Sequence, residues 1–120
     1  MRAWTGAANH RAGRTAEACV ASHFRRRGLR VVAERWRGAG GEVDLIAQDG
    51  GDLVFVEVKK SRSFAEAAAR ISLRQIARIQ QAAAEFMGLQ PDGQNTQVRF
   101  DVALVDSMGR IEVLENAFGP

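Results

Sequence analysis

Two carboxylates and an amine stand out between residues 44 and 59. Asp44 lies in the run EVDLIA over 42–47, and Glu57 and Lys59 lie in LVFVEVKK over 53–60. Both runs are rich in strand-forming residues, and the Asp- and Gly-rich loop between them, Gln48-Asp49-Gly50-Gly51-Asp52, is a hairpin signal. The runs are therefore predicted to pair antiparallel. Counted from the turn, Asp44 sits about five residues back and Glu57 about six forward, so they fall near each other across the strands. Strand side chains alternate, which groups Glu57 and Lys59 with Leu53 and Phe55, and Glu42 and Asp44 with Ile46. Two carboxylates and one ammonium at the open end of a hairpin can hold Mg²⁺ through one or two oxygens and leave room for water and phosphate. Such an ion polarises a phosphoryl oxygen and acidifies its water, and Lys59 can orient that water or neutralise developing charge. The competing reading is a surface hairpin with a carboxylate–lysine pair worth about 0–1 kcal/mol. Residue types and spacing leave both open.

A third carboxylate is awkwardly placed. Ala16, Val20 and Phe24 recur four apart and predict a helix over about 14–27, closed by Gly28. Glu17 lies on or beside that apolar stripe, where a carboxylate is costly unless paired or bound to a metal. Either a boundary position with an arginine partner or an ion would explain it. Cys19 is expected as a core filler. Neither His10, in an expected loose terminus over 1–12, nor His23 has a second ligand at metal-binding spacing.

The remaining elements must position these groups. LRVVAERW over 29–36 reads as a strand leading into the turn Gly38-Ala39-Gly40-Gly41, with Trp36 as an anchor for the sheet. Ser72-Leu-Arg-Gln75 fits a capping box at the start of a helix whose apolar face carries Ile76, Ile79, Ala83 and Phe86 and which Gly88 closes. Residues 64–71 are either a short helix or a mobile segment. VRFDVALVD over 98–106 reads as an inner strand, in which Asp101 can pair with Arg99 or Lys59, and 111–114 reads as an edge strand. The order helix, three strands, helix, two strands predicts a mixed α/β layer fold.

Composition bounds the class. With 120 residues, 46% hydrophobic and 26% charged, the chain is expected to form one globular domain over 13–120. Its longest apolar run, Leu53 to Val56, is far too short to span a membrane, and no secretory signal pattern opens the chain, so a soluble cytoplasmic protein is expected. A lone cysteine leaves no internal disulfide to form. The net charge of +3 hides an asymmetry: residues 1–40 carry +7 and residues 41–120 carry −4. A basic half beside an acidic half suits a phosphate-binding surface next to a carboxylate cluster, and equally suits ordinary surface charge.

Taken in order, AE at 16–17, RRRGLRVVAERWR at 25–37, GEVDLIA at 41–47, LVFVEVKKSR at 53–62 and RFDVALVD at 99–106 resemble the bacterial UPF0102 (YraN-like) family over about residues 12–118. That family is similar to archaeal Holliday junction resolvases of the restriction-endonuclease-like PD-(D/E)xK superfamily. The resemblance implies a mixed central sheet flanked by helices. It also implies a catalytic set of Glu17, Asp44, Glu57 and Lys59, with Glu17, Asp44 and Glu57 as ligands of Mg²⁺ or Mn²⁺ and Glu42 behind them. The implied activity is endonucleolytic cleavage of DNA, of a branched or damaged form, by a homodimer. Arg25, Arg26, Arg27, Arg35, Arg37, Lys60, Arg62, Arg74 and Arg78 are then expected on phosphates. Three positions depart from the family pattern. Lys60-Ser61-Arg62 replaces the usual Thr-Arg, Arg74 and Gln75 stand where a lysine commonly opens the second long helix, and Arg35 replaces an asparagine before Trp36. A non-catalytic nucleic-acid-binding module, or a subunit that depends on a partner, is the alternative.

Overall fold

A computed structural model describes residues 15–91 and 96–119. The expected tail over 1–12, including His10, lies outside the described residues. Helix α1 covers 15–26, followed by strands β1 (Arg30–Arg37), β2 (Glu42–Asp49) and β3 (Asp52–Lys60). Helices α2 (Phe64–Ala69) and α3 (Leu73–Gly88) then lead to β4 (Val98–Val105) and β5 (Ile111–Phe118). The five strands form one mixed sheet in the order β1-β2-β3-β4-β5, antiparallel except for the parallel β3–β4 step. A parallel step needs a crossover rather than a hairpin, and α2 and α3 supply it. The fold is the α/β sheet flanked by helices that the sequence predicts, and it is compatible with a restriction-endonuclease-like architecture.

Alternation along β3 divides the core between the two faces. Val54 and Val56 pack with Leu45, Ala47 and the Ala16, Val20 and Phe24 stripe of α1. Leu53 and Phe55 point the other way, to Ile79, Ala83 and Phe86 of α3 and Phe100 of β4. Each such large side chain, taken fully out of water, contributes about 1.5–3 kcal/mol. Trp36 anchors the sheet as expected, meeting Phe86 edge-on at 5.3 Å. Gly28 takes φ +90°, the left-handed turn that ends α1. Ser72 accepts from the Gln75 N–H at 3.1 Å while the Gln75 side chain accepts from the Ser72 N–H at 3.3 Å, so α3 starts at the expected capping box.

Several expectations are corrected or resolved. Cys19 is exposed rather than in the core, because it lies off the 16–20–24 stripe. Residues 64–69 are helical, with Ser63 capping the Glu66 N–H at 3.1 Å. Strand β5 continues past 114 to Phe118 and stacks it on Phe100 at 5.0 Å. Strict alternation also fails in β2, because Val43 and Ile46 are three residues apart yet pack in the same cluster against α3. Ala33 and Trp36 of β1 join that cluster at the same separation, on either side of Arg35, whose φ is +54°. Both strands therefore twist out of register with their own faces at one level of the sheet, the level of Arg35 and Asp44.

Candidate functional site

That level is where the chemistry gathers. The β2–β3 ladder pairs Leu45 with Val56 and stops; one further step in the same register would set Asp44 opposite Glu57. The strands part there, and the Asp44 side chain takes over the pairing, its Oδ2 accepting from the Val58 N–H at 2.8 Å. The bond fixes the Asp44 carboxylate beside Glu57. Helix α1 covers one face of the sheet and α3 the other, and between them at this sheet end opens a cleft of about 360 Å³. Glu17 enters it from α1, Arg35 from β1, Glu42 and Asp44 from β2, Glu57 from β3, and Gln75, Arg78 and Ile79 from α3.

The electrostatics of the cleft are unbalanced. Glu57 is pushed up to about 9 from an ordinary 4.5, first by burial and then by its hydrogen bond to the Asp44 carboxyl and by the Asp44 charge. Lys59 pulls it back down and Glu17 adds to the rise. Two carboxyls this close cannot both ionise without a compensating charge, so a proton or a cation belongs between them. Lys59 acts on Glu57 through its charge; it is half-buried and does not line the cleft.

Glu17 is engaged elsewhere. Its Oε2 accepts from Arg35 Nε at 2.8 Å and its Oε1 from Arg35 Nη2 at 3.4 Å. The Glu17 side chain is 19% exposed and that of Arg35 43%. The hydrogen bond and charge of Glu17 raise the Arg35 guanidinium further above its ordinary value. Glu17 thus satisfies the requirement its helical position creates through an arginine. As they stand, no three His, Cys, Asp or Glu side chains among the described residues converge closely enough to surround one ion. What remains is a pair, Asp44 and Glu57. That donor set fits Mg²⁺ or Mn²⁺, hard ions held by one or two carboxylates with substrate phosphate and water completing the shell, better than Zn²⁺.

Residues 16–105 match the family described as "Uncharacterised protein family UPF0102". A UPF0102 protein of Cereibacter sphaeroides strain ATCC 17025 is 59% identical over 114 residues, covering 95% of this chain and 97% of its own. The chain belongs to the UPF0102 family. A UPF0102 protein of Ruegeria pomeroyi is 56% identical, with 95% of this chain and 93% of the relative covered. One from Roseobacter denitrificans is 47% identical, with 97% and 90% covered. The match takes in every element that builds the cleft, from Glu17 through Arg78.

The basic residues of this UPF0102 chain divide into groups. Arg35 and Arg78 line the cleft. Arg37 and Arg78 also line a second hollow of about 400 Å³ along the glycine turn 38–41, where Arg37 donates to Glu42 at 3.1 Å. At Gly41 a Cβ would lie 2.7 Å from the Arg78 carbonyl oxygen, so glycine alone lets the turn approach α3 this closely. Lys60 and Arg74 are exposed, and Arg62 is paired with Glu66 at 2.9 Å. Arg25, Arg26 and Arg27 do not join the site. Arg27 lines a hollow with Asp49, at the hairpin end of β2, about five residues or roughly 17 Å along the strand from Asp44. Arg25 does not line the cleft either; it pairs at 3.7 Å with Glu34, which precedes Arg35 on β1 opposite Leu45. The residues that sequence reasoning missed are Ile79, Gln75 as a cleft residue, and Glu85, whose Oε1 accepts from the Gly40 N–H at 3.2 Å and pins the glycine turn to α3. Gln75 left a signal through its capping box and Ile79 through its apolar spacing; Glu85 left none.

Proposed function

We propose that this chain is a Mg²⁺- or Mn²⁺-dependent nuclease that hydrolyses phosphodiester bonds of DNA in the cytoplasm. The observation that carries the reading is the confrontation of Asp44 and Glu57 in an open polar cleft, two carboxyls whose conflict a cation would relieve. Asp44 and Glu57 would hold the ion, which when bound polarises a phosphoryl oxygen and acidifies a water. The Val58 N–H keeps the Asp44 carboxylate from turning away. Lys59 tempers the negative charge on Glu57 and stands on its face of β3 to balance charge that develops during hydrolysis. Arg35 and Arg78 at the rim, with Arg37 along the glycine turn, are suited to successive backbone phosphates. Glu42, tied to Arg37, steadies that rim from behind. A two-fold dimer would present two such sites to the two strands of a branched or damaged duplex.

A second reading is a DNA-binding module that cuts nothing, and the Glu17–Arg35 pair favours it, because that pair is satisfied with no ion present. Labelled linear, flapped and four-way DNA incubated with Mg²⁺ or Mn²⁺ separates the two. Cutting that requires the metal and is lost in Glu57→Ala and Lys59→Ala establishes the nuclease. Binding with no cutting under either metal, unchanged by Lys59→Ala, establishes the module instead.

A further inference from the structure

Arg35 has a residue conformation and a partner that need a joint explanation. Its φ of +54° is a left-handed value that a long side chain seldom adopts, and such values persist where surrounding contacts enforce them. From this backbone position the Arg35 side chain makes a two-pronged bond to Glu17 in the cleft. The guanidinium is nearly half exposed, so it can leave Glu17 for an incoming anion at the cost of one partly solvated ion pair. Glu17 is four-fifths covered and, once released, faces the same cleft as Asp44 and Glu57.

We propose that the Arg35–Glu17 pair is a latch: Arg35 holds Glu17 until a backbone phosphate of nucleic acid takes the guanidinium, and Glu17 then joins Asp44 and Glu57 as a ligand of the ion. The inference rests on the metal-dependent reading above. It makes metal affinity and DNA affinity raise one another through one arginine, and linkage requires the effect to be reciprocal. Without DNA the cleft offers two carboxylates; with DNA it offers three.

Four proteins test it: the wild type, Arg35→Asn, Glu17→Ala and the double variant. Asparagine tolerates left-handed φ, and Arg35→Gly serves as a second backbone-compatible variant. Mn²⁺ is titrated by calorimetry or spin resonance without DNA. The expected result is about fivefold tighter Mn²⁺ in Arg35→Asn, wild-type affinity in Glu17→Ala, and no gain in the double variant, in line with an allosteric coupling at the lower end of the usual range. In EDTA, Glu17→Ala should bind a short duplex several-fold more tightly than wild type, and only while Arg35 is present. An equal Mn²⁺ gain with and without Glu17 would make Arg35 a bystander charge and overturn the latch, leaving the metal site intact. Mn²⁺ binding that is absent, or indifferent to Asp44→Asn, would overturn the latch together with the reading beneath it.

Discussion

Two carboxylate sites lie one residue apart on neighbouring strands of the same sheet, and they are built on opposite principles. Asp101, opposite Val56 in the β3–β4 register, is fully buried and fully supplied with donors. Arg99 donates Nε to Oδ1 at 2.9 Å and Nη2 to Oδ2 at 3.1 Å, and the Asn116 N–H donates to Oδ1 at 2.9 Å. The β4–β5 register shifts between Phe100 and Val102, and Asn116 takes φ +50°, so the Asp101 carboxylate occupies an N–H that the irregular ladder leaves over. Asp44 and Glu57 also sit at a break in a ladder, but there carboxyl faces carboxyl, and burial and the Asp44 carboxylate keep a proton on Glu57. A carboxylate that serves the fold is given its counter-charges by the chain. A pair that lacks them keeps a proton instead, as Glu57 does.

The largest effect should come from emptying the satisfied site. Asp101→Ala leaves Arg99 only its longer pairing with Asp49 at 3.5 Å and frees the Asn116 N–H, and losing one partner of a buried pair costs about 3–5 kcal/mol. Urea unfolding would show it as a lower midpoint. Asp44→Asn, at the other site, should cost far less or stabilise, since it removes a repulsion while the Asn carbonyl can still accept from Val58. Equal losses in the two variants would erase the contrast between the sites.

Next in size is the pH response of the unsatisfied pair. The Glu57 carboxyl titrates near 4.5 when unfolded and about 9 when folded, so the folded state binds the proton more tightly. Its contribution to stability is therefore complete below pH 4.5 and drains away as pH rises towards 9, with stability falling over that whole window. Glu57→Gln keeps the proton-bearing shape and cannot ionise. At pH 8 it should be more stable than wild type, by at most about 4–5 kcal/mol, and the difference should vanish near pH 4. A variant less stable than wild type at pH 8 would show that the pair stabilises the fold, against the distinction drawn here.

Much of this was legible beforehand, for identifiable reasons. Apolar alternation and a Gly-rich turn specify the β2–β3 hairpin, and the hairpin by itself places Asp44 next to Glu57. The Ser72–Gln75 box marks the start of α3 and so brings Gln75 and Arg78 to the cleft. What could not be read is what depends on local breaks in regularity. An arginine in a left-handed conformation has no sequence signature, so an arginine partner for Glu17 is legible in the sequence but its identity as Arg35 is not. The run Arg25 to Arg27 is conspicuous in the sequence, but only the packing of α1 along the sheet decides that none of the three lines the cleft and that Arg27 reaches the hairpin end. The pairing of Asp101 was left open between Arg99 and Lys59, because choosing needs the side-chain geometry that gives it to Arg99.

A third carboxylate sharpens the contrast with the smallest expected effect and the opposite sign. Burial alone would raise Asp106, but the N–H groups of Arg110 and Met108, at 2.9 and 3.0 Å, and the Arg110 guanidinium, at 2.7 Å, hold it below its ordinary 3.8. These bonds close the turn from β4 into β5 around an exposed arginine, so they resemble the Asp101 arrangement with more water around it. A depressed folded value means that the stabilisation is present above the unfolded value of 3.8 and is lost as pH falls through the folded one. Asp106→Asn should therefore lower the melting temperature slightly at pH 7, by much less than Asp101→Ala, and by progressively less below pH 4. Melting curves from pH 2.5 to 9 for Asp106→Asn and Glu57→Gln should thus converge on wild type from opposite sides, both as the pH falls. If Asp106→Asn instead melted above wild type at high pH, the carboxylate would be repelled rather than held, and the division between supplied and unsupplied sites would fail at its simplest member.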